Sequence, residues 1–214
     1  FAAASVTNTG TARNVVFEII GTGPVYTLRV VSANDGTIVP VIAEDAVHDA
    51  AGNGNAASAS VDNSVAYEAS APTVTVEQGA GQSDPAGSLP IVFDVTFSEL
   101  VDGFAYGDVQ IGGSATGVTY HVSGSGALYT IQIDSVGADG TITAAVGAAA
   151  AQDLAGKSSA ASTSEDGQVR YDTAPPTGTL IIDGGTAIAT STAVTLGLTD
   201  GDLGSGASEM RFSN

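Results

Sequence analysis

The sequence has no cysteine, no tryptophan, one methionine and only two histidines. Without cysteine the chain forms no disulfide and supports no thiol chemistry, which leaves the redox compartment open. No apolar run is long enough to span a bilayer, and no basic segment followed by an apolar one marks an export leader. We therefore expect this segment neither to insert into a membrane nor to carry its own export signal.

Positive charge is also scarce. Five lysine and arginine residues stand against 23 aspartate and glutamate residues, which gives a formal net charge of −18. A surface of this sign repels nucleic acids and anionic lipids and attracts cations. The charge balance argues against nucleic acid as a partner and favours acidic loops that face water or bind cations.

Small residues dominate what remains. The chain contains 28 glycines together with many alanine, serine, threonine and valine residues. This composition is typical of short strands joined by tight turns around small cores, and not of long helices. The composition predicts an all-β protein.

A nine-residue pattern, Val-x-Tyr-acid-x-x-x-Pro-Thr, occurs at residues 65–73 and again at residues 169–177. Its prolines, Pro72 and Pro176, lie 104 positions apart. Proline removes a backbone donor and favours extended geometry in the residue before it, so a strand can end or begin here but a central ladder cannot cross. The two copies of the pattern predict module boundaries.

The repeat extends over most of residues 1–173, with one extra residue in the second copy near residues 136–138. A period near 100 residues is too long for a solenoid unit and matches a self-contained β-sandwich. We predict three modules: residues 1–71, incomplete at the N-terminal side; residues 72–173, complete; and residues 174–214, the start of a third module of a different subtype.

Alternating apolar residues and Asn-Gly or Asp-Gly turns predict the strands. In the first module we expect strands at 14–20, 25–31 and 37–43, and in the third at 177–183, 193–199 and 207–213. Seven strands are predicted in the complete module, at 73–79, 91–98, 107–112, 117–123, 127–134, 140–146 and 166–172. Seven strands in about a hundred residues favour an antiparallel sandwich.

Three segments carry a family resemblance: Phe-Ser-Glu-Leu-Val-Asp-Gly-Phe at residues 97–104, Asp-x-x-Gly at 153–156 and Tyr-Asp-Thr-Ala-Pro at 171–175. They resemble the immunoglobulin-like repeats of very large bacterial cell-surface proteins. The resemblance implies tandem immunoglobulin-like antiparallel β-sandwich modules arranged as beads on a string. It further implies an extracellular adhesin or matrix protein, with calcium between modules.

Strand directions lead separately to a calcium hypothesis. If strands alternate in direction, acidic loops converge on each module junction, and calcium binds six to eight oxygen ligands of this kind. The candidate ligands at the second junction are Asp84, Asp134, Asp139, Asp172, Asp200 and Asp202. Those at the first junction are Asp35, Glu68, Glu99, Asp102 and Asp153. The alternative is that these acids are solvated and keep the protein soluble.

Catalysis finds little support. The repeat aligns His48 with Gln152 and His121 with Glu18, so no function that needs imidazole is shared by the modules. No G-x-S-x-G nucleophile elbow is present, and no pair of acids stands out for glycoside hydrolysis. We predict no enzymatic activity and expect His48 in a solvated loop and His121 on the outer side of a strand.

The sequence predicts a structural repeat region of a large exported surface protein, which acts as an extended spacer or adhesin stalk. Its partners are then the neighbouring modules of the same chain. One alternative is a subunit of an extracellular filament or sheath, assembled through end-to-end contacts with other copies. A third is an accessory binding module of a secreted enzyme.

Overall fold

The computed structural model describes residues 1–202 and residue 206. These residues form antiparallel strands and three short 3-10 turns, Ala3–Ser5, Tyr106–Asp108 and Asp183–Gly185, and no α-helix. The protein is therefore all-β, as composition predicts. The chain divides into two compact units, Phe1–Ser70 (unit 1) and Ala71–Asn214 (unit 2).

Unit 1 has six short strands: β1 (Val6–Asn8), β2 (Val16–Ile20), β3 (Thr27–Ser32), β4 (Gly36–Ile38), β5 (Pro40–Ile42) and β6 (Val65–Tyr67). They form three antiparallel pairs, β1 with β5, β2 with β3, and β4 with β6. Few of its side chains are buried: Val6, Ala12 and Ile38 are the hydrophobic residues that water barely reaches.

The single strand predicted at residues 37–43 is wrong, because β4 and β5 are separate strands with different partners. The break falls at Val39, whose N–H donates to the Asn8 side-chain carbonyl oxygen at 2.7 Å. Pro40 follows and has no N–H to offer a ladder. In the second repeat Ala144 replaces this proline, and the equivalent strand is continuous.

Unit 2 begins with the seven strands of the second repeat. They are β7 (Val74–Gln78), β8 (Ile91–Phe97), β9 (Val109–Gly112), β10 (Thr119–Ser125), β11 (Leu128–Ser135), β12 (Gly140–Val146) and β13 (Gln168–Tyr171). All seven strands predicted from alternation are confirmed, with ends that differ by a few residues. Alternation works here because one face of each strand is buried and the other is solvated.

The seven strands form two sheets, one ordered β10-β11-β8-β7 and the other β13-β12-β9. Both sheets contribute to one hydrophobic cluster, in which Phe93 on β8, Ile131 on β11 and Ile142 on β12 are fully buried. The strand β8 alternates strictly, with residues 91, 93, 95 and 97 buried and those between them partly or fully exposed. This core lies entirely within residues 72–173.

The pairings of unit 1 repeat those of unit 2 in the same register. Val6 faces Ile42 as Val109 faces Val146. The same correspondence holds between β2–β3 and β10–β11, and between β4–β6 and β12–β13. The internal repeat seen in the sequence is thus a repeat of structure, although unit 1 has no counterpart of β7 and β8 among its strands.

Beyond residue 173, unit 2 contains one more antiparallel pair, β14 (Thr177–Ile182) with β15 (Leu196–Gly201). These strands confirm two of the three predicted in this region, and β15 begins three residues later than expected. The third, at residues 207–213, lies outside the described residues.

The fully buried Ile133 on β11 offers a test of the shared core. We expect Ile133→Ala to lower the free energy of unfolding of this part of unit 2 by about 2–5 kcal/mol, since the truncation removes buried surface and leaves a cavity. Urea denaturation measures the change. Leu154→Ala is the control, because Leu154 is 90% exposed, and a similar loss in both variants contradicts the proposed core.

Candidate functional site: carboxylates at the linkers

The Asp35 carboxylate binds the chain that follows β6. It accepts hydrogen bonds from the backbone N–H of Ala69 at 2.8 Å and of Ser70 at 3.3 Å, and from the Ser70 hydroxyl. Asp35 directly precedes β4, whose partner strand β6 ends at Tyr67. The turn before one strand thus fixes the segment that leaves the neighbouring strand.

Asp139 makes the same connection one repeat later. Its carboxylate accepts hydrogen bonds from the Thr173 backbone N–H at 2.8 Å and from the Thr173 hydroxyl at 3.0 Å. The spacing of 104 residues between Asp35 and Asp139 equals that between Ala69 and Thr173. The two contacts are therefore one structural feature that occurs twice.

Asp84 and Asp172 add further support to the second linker. Asp84 accepts a hydrogen bond from the Arg170 N–H at 2.9 Å, and the Asp172 side chain accepts one from the Ala174 N–H at 3.1 Å. Ala86 bridges the same segment, donating to the Arg170 carbonyl oxygen and accepting from the Asp172 N–H. We call Asp35, Asp84, Asp139 and Asp172 the linker carboxylates.

A cleft of about 290 Å³ lies beside the second linker, and Asp139, Arg170 and Asp172 are among its lining residues. Asp172 is 8% exposed, whereas Asp139 faces solvent. Charged residues of both signs line this cleft, so this end of the unit is polar, in contrast to the apolar core.

The remaining candidates at the second junction lie elsewhere or are only partly described. Asp134, near the end of β11, binds the ring of His121 at 2.8 Å. Asp200 lies in β15 opposite Gly178, and its side chain is outside what the structure describes. Asp202 follows the end of β15 and is half-buried.

The candidates at the first junction belong to different units. In unit 1, Glu68 is exposed directly after β6. In unit 2, Glu99 is half-buried and Asp102 is exposed, and Asp102 pairs its backbone with Gln152. Asp153 is 7% exposed, and its Oδ1 accepts a hydrogen bond from the Lys157 N–H at 2.8 Å.

Among residues 1–202 and 206, no three acidic or histidine side chains converge in a group able to hold a metal ion. The linker carboxylates instead accept hydrogen bonds from the protein backbone. Calcium binding by the named acids stays a prediction.

The histidines occupy surface positions. His121 lies on β10 with half of its side chain exposed, and the His48 Nε2 lies 3.0 Å from a carboxylate oxygen of Asp45. The hydrogen bond from His121 is the main reason that the pKa of Asp134 lies below its ordinary value. Neither histidine lines one of the described clefts.

Glu77 is a further carboxylate with several hydrogen-bond partners, and the sequence analysis did not identify it. Lying on β7, it accepts hydrogen bonds from the N–H groups of Glu165 and Asp166 and from the Ser164 hydroxyl. Its pKa is lowered, chiefly by the Glu165 N–H and then by that of Asp166. The contact joins residues almost ninety positions apart in the sequence, so no local motif predicts it.

Comparison of the chain with known protein families, with characterised proteins and with solved structures finds no match. In the part of the chain that the structure describes, no helix has the length and hydrophobicity needed to cross a membrane. The function must therefore be inferred from the residues of this chain and their geometry.

Replacing Asp139 tests its role in holding the linker. We expect Asp139→Ala to accelerate hydrogen exchange of the Thr173 amide roughly fivefold to tenfold, because a lost hydrogen bond costs about 1 kcal/mol of local stability. Hydrogen-exchange NMR measures the rate. Asp139→Asn keeps one acceptor oxygen, so its Thr173 exchange rate should lie between those of the wild type and of Asp139→Ala. An unchanged Thr173 rate in Asp139→Ala contradicts the assigned contact.

The first linker carboxylate makes a pH-dependent contribution. The Ser70 hydroxyl, followed by the Ala69 N–H, lowers the pKa of Asp35 from its ordinary value of 3.8. Because the pKa of Asp35 is lower in the folded state than in the unfolded state, these bonds stabilise the linker fully at pH values above the unfolded-state pKa. That contribution is lost as the pH falls through the folded-state pKa.

We expect the Asp35 side-chain ¹³C signal to titrate below pH 3.8, and Ser70→Ala to move its midpoint up towards that value. The exposed Ser64 provides a control, and Ser64→Ala should leave the midpoint in place. Equal midpoints in the wild type and in Ser70→Ala show that the hydroxyl does not stabilise the charged carboxylate.

Proposed function

We propose that this chain is a structural repeat region of a large exported surface protein, in which tandem immunoglobulin-like β-sandwiches form an extended spacer or adhesin stalk. The observation that carries the proposal is the recurring carboxylate contact at the linkers, Asp35 with residues 69–70 and Asp139 with Thr173. A spacer needs joints that hold the departing chain, and this contact does so in both repeats.

The strand order of residues 72–173 supports the immunoglobulin-like class. With β7 to β13 lettered A to G, one sheet holds strands A, B, E and D, and the other holds C, F and G. The constant-type immunoglobulin fold distributes its strands between two sheets in the same way. Unit 1 repeats the pairings D–E, C–F and F–G in the same register, which supports a second module of the same kind.

The surface chemistry fits an extracellular spacer. Asp84 and Asp139 bind backbone N–H groups, and Asp134 binds a surface histidine. A net charge of −18 keeps a long array soluble and attracts cations. Calcium at the linkers is part of the proposal, because an ion shared between acids at a joint would resist bending.

Small-angle scattering tests the spacer function. A single compact body of this length has a radius of gyration of about 17 Å. We expect a larger radius at low protein concentration, and a further increase in calcium relative to magnesium or chelator, because ion-bridged joints bend less. A radius near the compact value contradicts the spacer, and equal radii in the three solutions contradict the calcium joint.

The filament alternative is favoured by one specific observation, the exposure of apolar side chains on both unit 1 and the β14–β15 pair. Val30 and Val65 in unit 1 are 37% and 56% exposed, and Leu196 and Leu198 are 49% and 40% exposed. Exposed apolar strands of this kind promote contacts between chains.

A further inference from the structure

Between β12 and β13 the chain returns along β7, which lies at the edge of its sheet beside β8. We call residues 160–166 the return segment. The bridge between Thr75 and Thr163 is parallel, so the return segment runs in the same direction as β7 and covers its edge. Backbone hydrogen bonds of 2.8–3.0 Å hold the two together: Ala160 with Pro72, Thr163 with Val74 and Val76, and Asp166 with Gln78.

This pairing contains one extra residue on the side of the return segment. The Val76 N–H donates to the Thr163 carbonyl oxygen, and the next N–H of β7 to donate, that of Gln78, does so to the Asp166 carbonyl oxygen. The strand β7 thus advances by two residues where the return segment advances by three. A bulge of this kind interrupts the ladder, and the backbone groups it leaves out need other partners.

The Glu77 carboxylate supplies the acceptors that the bulge lacks. Its Oε1 accepts a hydrogen bond from the Glu165 N–H at 2.9 Å. Its Oε2 accepts one from the Asp166 N–H at 2.6 Å and one from the Ser164 hydroxyl at 3.2 Å. One side chain of β7 therefore binds three consecutive residues of the return segment, and a charged acceptor makes these bonds stronger than neutral ones.

Acidic residues lie close to this carboxylate. Asp94 stands opposite Glu77 on β8, and Glu165 and Asp166 belong to the return segment itself. Like charges opposite each other destabilise a strand pair. The pKa of Glu77 is nevertheless lowered, chiefly by the Glu165 N–H and then by that of Asp166. The hydrogen bonds to the return segment thus outweigh the repulsion and favour the charged form.

The neighbouring residues fix the same turn. The Gln78 side-chain amide donates to the Asp166 carboxylate at 2.6 Å and to the Gln168 carbonyl oxygen at 3.1 Å. A Cβ at Gly167 would clash with the Ser164 side chain and lie 3.1 Å from the Val76 carbonyl oxygen, so the close approach requires glycine there. The contact around Glu77 is therefore closely fitted to β7.

The two ends of the second repeat lie at opposite ends of this parallel pairing. The chain enters at Pro72, beside Ala160, and leaves after β13 at Asp172, whose N–H donates to the Ala86 carbonyl oxygen at 3.0 Å. Tension on the two linkers pulls β7 towards its start and β13 towards its end. Because the segments are parallel, their hydrogen bonds are loaded together and must break together.

We propose that the Glu77 carboxylate holds the return segment against β7 and thereby sets how fast residues 72–173 unfold when the chain is under tension. The inference rests on the proposed function, since a spacer or stalk carries tension along its length. Glu77 is a positioning residue that acts through residues 164–166. It bridges the one place where the backbone ladder between β7 and the return segment is interrupted.

Single-molecule unfolding of the full chain at constant force tests the proposal. The chain has no cysteine, so Ala71→Cys and Ala174→Cys introduce the two attachment points, and unfolding between them releases up to roughly 35 nm. Glu77→Ala should raise the unfolding rate on the order of tenfold, because it removes several charge-assisted hydrogen bonds. Thr75→Ala, on the same face of β7 and exposed, is the matched control and should change the rate less than about twofold.

A second pulling direction separates this role from a general effect on stability. Attachment at Ala71→Cys and Ala161→Cys pulls both segments from the same end, so their hydrogen bonds break one after another, beginning near Pro72. Unfolding at a given force should then be faster than in the first direction. The effect of Glu77→Ala should also be smaller, because the Glu77 contact lies at the far end of the pairing.

Two results overturn the proposal: equal unfolding rates of the wild type and Glu77→Ala in the first direction, or an equal effect of Glu77→Ala in both directions. Circular dichroism checks that each variant folds, and Glu77→Gln, which keeps one acceptor oxygen, replaces an alanine variant that does not. A compact body in scattering removes the stalk but leaves the Glu77 effect measurable. An extended chain with no Glu77 effect removes only the present inference.

Discussion

An antiparallel sheet with one apolar face is stable only when something covers that face, and in this chain β8 decides whether it is covered. Its alternate residues Ile91, Phe93, Val95 and Phe97 are all buried, and the strand joins β7 to β11 within one sheet. Burial of side chains of this size contributes about 1.5–3 kcal/mol each. In unit 1, whose described strands include no counterpart of β8, the same pairings form, and Val30 is 37% exposed where Ile133 is fully buried.

A second constraint explains the position of several acidic residues: backbone N–H groups need acceptors where the chain leaves a sheet. Residues 69–70 and 173–174 have left their ladders, and carboxylates supply acceptors for their N–H groups. A charged acceptor makes a stronger hydrogen bond than a neutral one. Part of the acidity of this chain is therefore structural.

The sequence predicted the strands of the second repeat well, because period-two alternation reports directly on a half-buried sheet. It failed at residues 37–43, where Pro40 and the Asn8 side chain interrupt a strand that alternation alone predicts. The repeat placed Asp35 and Asp139 at the linkers, but their backbone partners were not foreseen. Glu77 was missed because its partners at 164–166 become neighbours only through the pairing of distant strands.

Charge and apolar exposure act against each other in this chain. At a net charge of −18 two copies repel at long range, so non-specific association is disfavoured and added salt reduces the penalty. The β14–β15 pair nevertheless carries four aliphatic residues on one face, at positions 180, 182, 196 and 198, followed by Asp200 on the same face. The net charge therefore opposes association between copies, whereas the exposed aliphatic side chains favour it.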